Sequence, residues 1–401
     1  MLYCRALSIS VAVALLGGCG GSQPPVSVPG AVSQAPASTG YKSLYSFGKG
    51  SDGQELKAAL IDVNGTFYGT TYAGGAHGDG TVFSMSTTGT ERMLYSFQGG
   101  NSGANDGANP SAGLLAVKGV LYGTTEYGGG EPSDGTVFKI STTGTEKVLY
   151  RFLGYRFRDY YDGANPAASL IDVKGKLYGT TYGGGVGDVG TVFRISTSGR
   201  EKVLHSFSSY VDGANPTAGL LSVTGTLYGT TVYGGQISSV GAGTSFSLST
   251  TGTEKLLYGF SLGSNGSYPE AGLINVDGTL YGTTSSSGVS GGGTAFSITT
   301  SGSLATLHGF GSGSDGGYPW APLLNVRAML YGTTAGGGTY GKGTVFSMSL
   351  TGADEKVLHD FGHGSDGATP LAGLLDVKGT LYGTTSAGGK YGHGTAFALT
   401  P

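Results

Sequence analysis

The sequence predicts an all-β fold, a seven-bladed β-propeller made of four-stranded blades. Two features of the repeat and one of the chain ends favour this fold class. The pentapeptide LYGTT, at residues 121–125, recurs with small changes and is marked by Tyr68, Tyr122, Tyr178, Tyr228, Tyr281, Tyr331 and Tyr382. Each copy lies in a unit of about 50 residues with four β-rich runs. The two ends of this array are out of phase with each other.

The four runs of one unit, residues 109–152, are AGLLAV, VLYGTT, GTVFKI and EKVLYRF, which we name strands A, B, C and D in chain order. Strands A and B are separated here by Lys118-Gly119. Such a two-residue link predicts a tight hairpin turn with positive φ. The sixth copy carries Arg327-Ala328 where glycine is expected, so we predict a different loop or a strained alanine there.

The LYGTT segment forms strand B, and in a propeller both faces of each sheet pack on neighbouring sheets. We therefore expect its leucine and tyrosine to be buried on opposite sides. The glycine would allow close approach of the next blade, and the two threonines would favour extended backbone.

The chain ends predict how the ring closes. The first segment, SLYSF at residues 43–47, matches strand D, and the last, GTAFALT at residues 394–400, matches strand C. The first strand must therefore pair in the last blade, which hides the edge strands. A β-solenoid is the competing fold, but its rungs are shorter and it requires terminal caps.

Composition allows a large core and limits the partners. Glycine accounts for 80 of the 401 residues without a three-residue period, and only 12% of the residues are charged. This composition favours a turn-dense repeat over collagen or disorder. The formal charge of −3 argues against a nucleic-acid partner.

The N-terminus predicts export. One basic residue, Arg5, precedes an apolar run over residues 6–16 that is too short to remain a membrane span. The next residues, Leu16-Gly17-Gly18-Cys19, resemble the lipobox of bacterial lipoproteins, which implies that Cys19 is acylated and anchors the chain to a membrane. Gly20, in place of the aspartate typical of inner-membrane retention, favours the outer membrane. An ordinary secretory leader with a chance cysteine is the alternative.

Three segments follow from these signals: a lipoprotein signal peptide (residues 1–18), a lipidated cysteine with a flexible tether (residues 19–40) and the propeller (residues 41–401). The tether has no apolar period and a reach of about 25 Å as a random coil. Because Cys4 lies in the leader and Cys19 would be acylated, we expect no disulfide in the mature fold.

The alternation of LYGTT, a loop containing Gly-Gly, GTVF and LYSF resembles the bacterial choice-of-anchor tandem-repeat family called GloVer. The resemblance covers the array from Tyr41 onwards. It implies export and a repeat architecture, with the lipobox as one kind of anchor. It implies no activity.

Loop lengths indicate which face binds a ligand. Antiparallel strands place the A–B and C–D links on one face, here called the short-link face. The B–C and D–A loops lie on the opposite face, called the long-loop face; residues 125–136 and 153–166 are examples. Because binding residues concentrate on variable loops of a rigid scaffold, we expect the long-loop face to hold the ligand.

Aromatic residues on the long-loop face are the candidate binding residues, since rigid rings stack on sugars or anchor protein partners. The densest group is Tyr155, Arg156, Phe157, Arg158, Tyr160 and Tyr161. The further candidates are Tyr127, Tyr233, Tyr318 and Trp320. Alternatively, many of these rings wedge between adjacent loops without meeting a ligand.

Acidic and histidine residues leave metal binding as a minor alternative. The motif Asp-Gly-Ala-Asn-Pro begins at Asp106, Asp162 and Asp212; it favours an Asx turn leading into strand A over a calcium site. His77, His363 and His393 all fall on the long-loop face but lack a short ligand spacing. His205, His308 and His359 take the tyrosine position of strand D, so we interpret them as packing substitutes. Acidic residues of strand A, such as Asp62, are interpreted as turn caps. We expect no cofactor.

Catalytic motifs are weak. Gly-x-Ser-x-Gly occurs at Ser261 and Ser290, but this glycine content produces such matches by chance, and no helix follows. The sequence therefore predicts a membrane-anchored, monomeric propeller that binds a glycan or a protein without catalysis. The alternatives are an exported hydrolase or lyase acting on carbohydrate or lactone, and a purely structural envelope protein.

Overall fold

The computed structural model describes residues 40–99, 106–131, 133–154, 161–208, 211–235, 241–311 and 313–401. These residues form seven four-stranded antiparallel sheets, each in the order A-B-C-D. This is the seven-bladed β-propeller that the repeats predict. The described residues include no helix with the length and apolar character needed to cross a membrane.

Strand bounds repeat closely from blade to blade. The A strands, blade one to blade seven, are Ile61–Val63, Leu115–Val117, Ile171–Val173, Leu221–Val223, Ile274–Val276, Leu324–Val326 and Leu375–Val377. The B strands are Thr66–Thr71, Val120–Thr125, Lys176–Thr181, Thr226–Thr231, Thr279–Thr284, Met329–Thr334 and Thr380–Thr385. The C strands are Thr81–Ser86, Thr136–Ser141, Thr191–Ser196, Thr244–Ser249, Thr294–Thr299, Thr344–Ser349 and Thr395–Leu399. The D strands are Glu91–Ser96, Glu146–Arg151, Glu201–Ser206, Glu254–Gly259, Leu304–Gly309, Lys356–Asp360 and, for blade seven, Lys42–Ser46.

The first strand closes the ring, as the chain ends predict. Lys42–Ser46 pairs antiparallel with Thr395–Leu399, with Lys42 opposite Ala398 and Ser46 opposite Thr395. The Gly40 amide extends this ladder by donating to the Thr400 carbonyl at 3.3 Å. The A strands of neighbouring blades are in contact all the way round, including blades seven and one. The outer edge of blade seven is therefore covered by its own N-terminal strand.

The core consists of seven apolar clusters, one at each junction between blades. Phe67 of blade one contributes to the junction with blade seven, where its ring lies 4.6 Å from that of Tyr382. The next residue, Tyr68, packs instead against Leu121 of blade two. The first two side chains of the pentapeptide therefore point to opposite junctions, as predicted, because successive residues of a strand alternate between faces.

The glycine of the pentapeptide accommodates an aromatic ring of its own blade. Gly123 is paired with Phe138 across strands B and C. A Cβ atom at Gly123 would lie 2.5 Å from Cζ of Phe138. The prediction that this glycine admits the next blade is therefore wrong in detail, because the ring that fills the space comes from strand C of the same sheet.

The two threonines do more than favour extended backbone. In every blade the first one donates its hydroxyl to a buried alanine carbonyl of the next blade; for blade three, Thr180 Oγ1 lies 3.1 Å from the Ala218 carbonyl oxygen. The other six pairs are Thr70–Ala112, Thr124–Ala168, Thr230–Ala271, Thr283–Ala321, Thr333–Ala372 and Thr384–Ala58. The second threonine bonds the first threonine of strand C, as Thr181 does with Thr191 at 2.9 Å. The pentapeptide therefore contributes a hydrogen bond to every junction.

The A–B links are two-residue turns with positive φ, as the sequence predicts. Lys118 and Gly119 have φ of 51° and 79°. In blade six Arg327 and Ala328 keep the same turn with φ of 52° and 64°, so this copy carries the strained alanine. The acidic residue of strand A caps the turn, since Asp62 Oδ1 accepts the Gly65 amide at 2.7 Å.

Candidate functional site

The B–C and D–A loops lie together on the long-loop face and are tied by short ladders. Gly107–Ala108 pairs with Tyr127–Gly128, and Gly163–Ala164 pairs with Gly183–Gly184. Because each ladder joins a D–A loop to the B–C loop of the blade that follows it, the loops rest on one another. This arrangement confirms the predicted grouping of the long loops on one face.

A cavity of about 290 Å³ opens at the central channel; we call it the channel mouth. Each blade contributes the segment before strand A, where an alanine is preceded by one variable residue. These seven variable residues form a ring around the channel mouth: Lys57, Ser111, Ala167, Thr217, Glu270, Trp320 and Leu371. The repeat therefore presents seven different side chains from equivalent backbone positions.

Lys57 is held on one side of the channel mouth. Its ammonium nitrogen lies 3.0 Å from the centroid of the Tyr72 ring, a cation–π contact. Burial lowers the pKa of Lys57, while the carboxylates of Glu126 and Glu55 act in the opposite direction. Burial likewise raises the pKa of Glu126. The lysine charge is therefore compensated by neighbours within the protein.

Glu270 and Trp320 come from the adjacent blades five and six. The Ser285 hydroxyl donates to Glu270 Oε1 at 2.9 Å, and burial raises the pKa of Glu270. The Trp320 side chain remains 43% exposed although it lines the cavity. The channel mouth therefore combines one open aromatic surface with one fixed carboxyl group.

The predicted aromatic candidates within the described residues are exposed on this face. The exposed fractions of Tyr127, Tyr161, Tyr233 and Tyr318 are 41%, 46%, 44% and 52%. Tyr233 also meets Tyr268 edge to face, with ring centroids 5.6 Å apart. The candidates Tyr155, Arg156, Phe157, Arg158 and Tyr160 lie outside the described residues, as do Cys19 and the tether up to residue 39.

The aspartates of the Asp-Gly-Ala-Asn-Pro motif accept hydrogen bonds from residues that precede them in the chain, in and just after strand D of the preceding blade. Asp106 accepts the Tyr95 hydroxyl at 2.7 Å and the Gln98 amide at 3.2 Å. Where histidine replaces tyrosine the contact persists, since His205 Nε2 lies 3.0 Å from Asp212 Oδ2. Instead of forming the predicted Asx turn into strand A, the aspartate therefore holds the start of the D–A loop against strand D of the preceding blade. The histidines of strand D substitute for tyrosine in a hydrogen bond as well as in packing.

A glutamate at or just before the start of strand D faces an aspartate of a D–A loop across the blade junction. Burial, followed by the charge of the neighbouring aspartate, raises the pKa of four such glutamates to about 7. Glu201, for example, lies near Asp162, whose charge adds to the effect of burial. The four glutamates and their aspartates are Glu91–Asp52, Glu146–Asp106, Glu201–Asp162 and Glu355–Asp315.

The three loop histidines are not brought together. His363 packs near Tyr340, with ring centroids 5.8 Å apart, whereas His393 lies against Gly48. His77 is exposed on the first B–C loop. Within the described ranges, no group of three or more His, Cys, Asp or Glu side chains is placed to hold a metal ion.

Lys57 and Glu270 are the site residues that sequence reasoning missed. A signal existed: the residue before the repeated alanine changes in every copy, although the alanine itself is constant. Variation at a single position of an otherwise regular repeat indicates a position that is free of packing constraints. Of this ring, only Trp320 was singled out from the sequence.

Comparison with known proteins agrees with this fold. A solved oligogalacturonate lyase from Vibrio parahaemolyticus is similar, with a TM-score of 0.56 and 8% identity over 91% of this chain and 97% of that chain. A gluconolactonase from Xanthomonas campestris matches with a TM-score of 0.39 and 14% identity over 66% of this chain and 78% of that chain. A chain of a nidogen/laminin complex gives a TM-score of 0.43 and 15% identity over 70% of this chain and 90% of that chain. At 8% identity, the match to the oligogalacturonate lyase supports the fold alone.

The sequence comparisons identify the repeat itself. No curated protein sequence matches the chain. The family model of the Gloeobacter/Verrucomicrobia repeat matches residues 27–158, 107–277 and 236–401. These three matches run through all seven blades, in agreement with the resemblance in LYGTT and GTVF. The chain therefore belongs to the Gloeobacter/Verrucomicrobia repeat family.

Proposed function

We propose that this propeller is a non-catalytic binding module that holds a glycan on its long-loop face. The observation that carries the proposal is the set of exposed aromatic rings on the long-loop face, of which Trp320 also lines the channel mouth. Tyr127, Tyr233, Tyr318 and Trp320 are each more than 40% exposed there. Rings that are open to solvent and mounted on a rigid sheet can stack on the apolar faces of sugars without a large loss of conformational entropy.

Backbone strain supports a role for the tyrosines of this face. Tyr318 and Tyr268 have φ of 60° and 59°, in the left-handed region that bulky residues avoid. Three other copies place asparagine at the same position, where Asn109, for example, donates to the Tyr72 carbonyl at 3.0 Å. Asparagine tolerates this conformation at lower cost. Aromatic residues kept in a strained position are typical of functional surfaces.

We further propose that the module is exported and attached to a membrane through Cys19. The chain joins the ring at Gly40, beside Thr400, where strand C of blade seven ends. This end of the sheet belongs to the short-link face, because strands C and D are linked there in the other blades. A tether ahead of Gly40 would therefore join the propeller on its short-link face.

A catalytic function is the second candidate, because two carboxyl groups near the channel mouth have raised pKa values. Burial raises the pKa of both Glu126 and Glu270, a property of general acids. A hydrolase or lyase would lose turnover in Glu270→Gln while still binding its substrate. A pure binding module would show no turnover of any glycan that it retains.

A glycan array with the mature chain tests the binding function. We expect retention of at least one class of glycan and about 10-fold weaker retention by Tyr233→Ala, from the loss of one stacking surface. Met93→Ala is the matched control, since Met93 is a large exposed side chain on strand D of blade one. Failure to retain any glycan, together with capture of a protein from envelope extracts, would replace the glycan with a protein ligand.

A further inference from the structure

We propose that the channel mouth binds the terminal ring of a neutral or amine-bearing glycan chain and discriminates against uronic acids. This inference rests on the proposed glycan-binding function and specifies its ligand class. Three observations support it: the size of the channel mouth, the side chains that line it, and the balance of charge around Lys57.

The size of the cavity favours the binding of one end of a single glycan chain. The cavity of about 290 Å³ lies at the lower limit of the roughly 300–1,000 Å³ typical of small-molecule sites. Below the mouth, neighbouring blades approach closely, since a Cβ atom at Gly272 would lie 3.2 Å from the Gly219 carbonyl oxygen. The residues here are small, as Ala112 and Gly113 illustrate. A ligand can therefore enter from the long-loop face to a limited depth, end first.

The lining suits a sugar ring. Trp320 offers an exposed indole face, while Ser111, Ala167 and Thr217 occupy the opposite part of the seven-residue ring and are small. Among the described residues, the side-chain hydrogen bond of Glu270 occupies Oε1 and comes from Ser285. Oε2 can accordingly accept a sugar hydroxyl or an amine. An aromatic surface beside a fixed carboxylate is a suitable arrangement for binding a pyranose.

The charges around the channel mouth set the preference for neutral or amine-bearing sugars over uronic acids. Lys57 is the one cationic residue among the described residues that line the channel mouth. Its ammonium already faces the Tyr72 ring and the carboxylates of Glu126 and Glu55. Glu270 is the one acidic side chain among the described residues that line the channel mouth. An entering uronate would meet the Glu270 carboxylate without an uncompensated cation, whereas a neutral or amine-bearing ring would find a hydrogen-bond acceptor there.

Tryptophan fluorescence measures binding directly, because Trp320 is the only tryptophan in the sequence. The mature chain is titrated with cellotriose, the glucosamine trimer and trigalacturonate. We expect cellotriose and the glucosamine trimer to change the emission with saturation. Trigalacturonate should bind at least about 10-fold more weakly, the effect of one unfavourable charge contact.

Calorimetric titration of variants identifies the residues that bind cellotriose. Trp320→Ala and Glu270→Gln should each weaken cellotriose binding about 10-fold. Glu270→Gln should also reduce the discrimination against trigalacturonate, an effect that general unfolding would not produce. Tyr340→Ala is the matched control: Tyr340 lies in the same blade, is as exposed as Trp320 and does not line the cavity.

Three results would overturn the inference. Equal or tighter binding of trigalacturonate would contradict the charge argument. Glycan binding on the array that leaves Trp320 emission unchanged and is insensitive to Trp320→Ala would place the ligand elsewhere on the face, and the proposed function would stand. If none of the three trimers binds and no glycan on the array is retained, both proposals fail together.

Discussion

Replacing Thr180 with valine removes one hydroxyl from the junction between blades three and four. Thr180 Oγ1 donates to the Ala218 carbonyl at 3.1 Å, and both residues are buried. Valine has nearly the same shape, so the packing is preserved while the carbonyl loses its partner. The equivalent contact occurs at each of the other six junctions, so the result bears on the whole ring.

The expected loss follows from the burial of the acceptor. A buried group left without a hydrogen-bond partner costs about 1–3 kcal/mol. At roughly 2.1 cal/mol/K of unfolding entropy per residue, summed over the propeller, this loss lowers Tm by about 1–4 °C.

Thermal unfolding followed by circular dichroism, together with urea titration, measures the loss. Thr180→Ser is the matched control because it keeps the hydroxyl, and we expect it to retain most of the stability. If the valine and serine variants unfold at the same temperature and urea concentration, the hydroxyl contributes nothing and the reasoning is refuted. A double variant with Thr283→Val at a distant junction should show additive losses within about 0.5 kcal/mol.

Three other predictions concern charge, closure and the strand D contact. Because the pKa of Glu201 is about 7 in the fold against an ordinary 4.5, its protonated form favours folding; this stabilisation is complete below pH 4.5 and is lost as the pH rises through 7. The full shift corresponds to about 3 kcal/mol, which we discount to about 1 kcal/mol because solvent screens this partly exposed group. Urea titrations at pH 5 and pH 8 should show lower stability at pH 8 and a smaller difference in Glu201→Gln; stability that rises with pH would contradict this. Deleting residues 40–47 uncovers Thr395–Leu399 and should give oligomers in size-exclusion chromatography, whereas a stable monomer would argue against closure by this strand. His205→Tyr should change stability by less than about 0.5 kcal/mol, because tyrosine makes the same contact in other blades, whereas Asp212→Ala should cost about 1–3 kcal/mol; equal losses in thermal unfolding would show that the contact does not matter.

Features that depend on the repeat period could be predicted from the sequence. The out-of-phase ends implied the pairing of Lys42–Ser46 with Thr395–Leu399, because only that pairing completes the last sheet. For Arg327-Ala328 the sequence left two possibilities, a different loop or a strained alanine. The structure has the strained alanine, because the two-residue hairpin link imposes positive φ on both residues. Backbone pairing follows from pattern and chain connectivity alone.

Features that depend on side-chain contacts between blades could not be predicted in the same way. The hydroxyl of Thr124 finds the Ala168 carbonyl 44 positions further along the chain, and nothing local to LYGTT indicates that distance. The sequence placed Tyr233 and Trp320 on the long-loop face, but whether a ring lines the channel mouth depends on the position of its loop, and only Trp320 of these two does so. Lys57 and Glu270 meet at one cavity only because seven equivalent segments converge on the axis.

Closure by the N-terminal strand also sets the order of events during synthesis. Lys42–Ser46 is the first propeller strand to leave the ribosome, and its partner Thr395–Leu399 is the last. At roughly 5–20 residues per second, the first strand waits about 20–70 s for the second. Over that interval Phe47 and Phe67 lack the blade-seven side of their apolar cluster. We therefore expect the nascent chain to depend on chaperones that shield this segment until the final blade emerges.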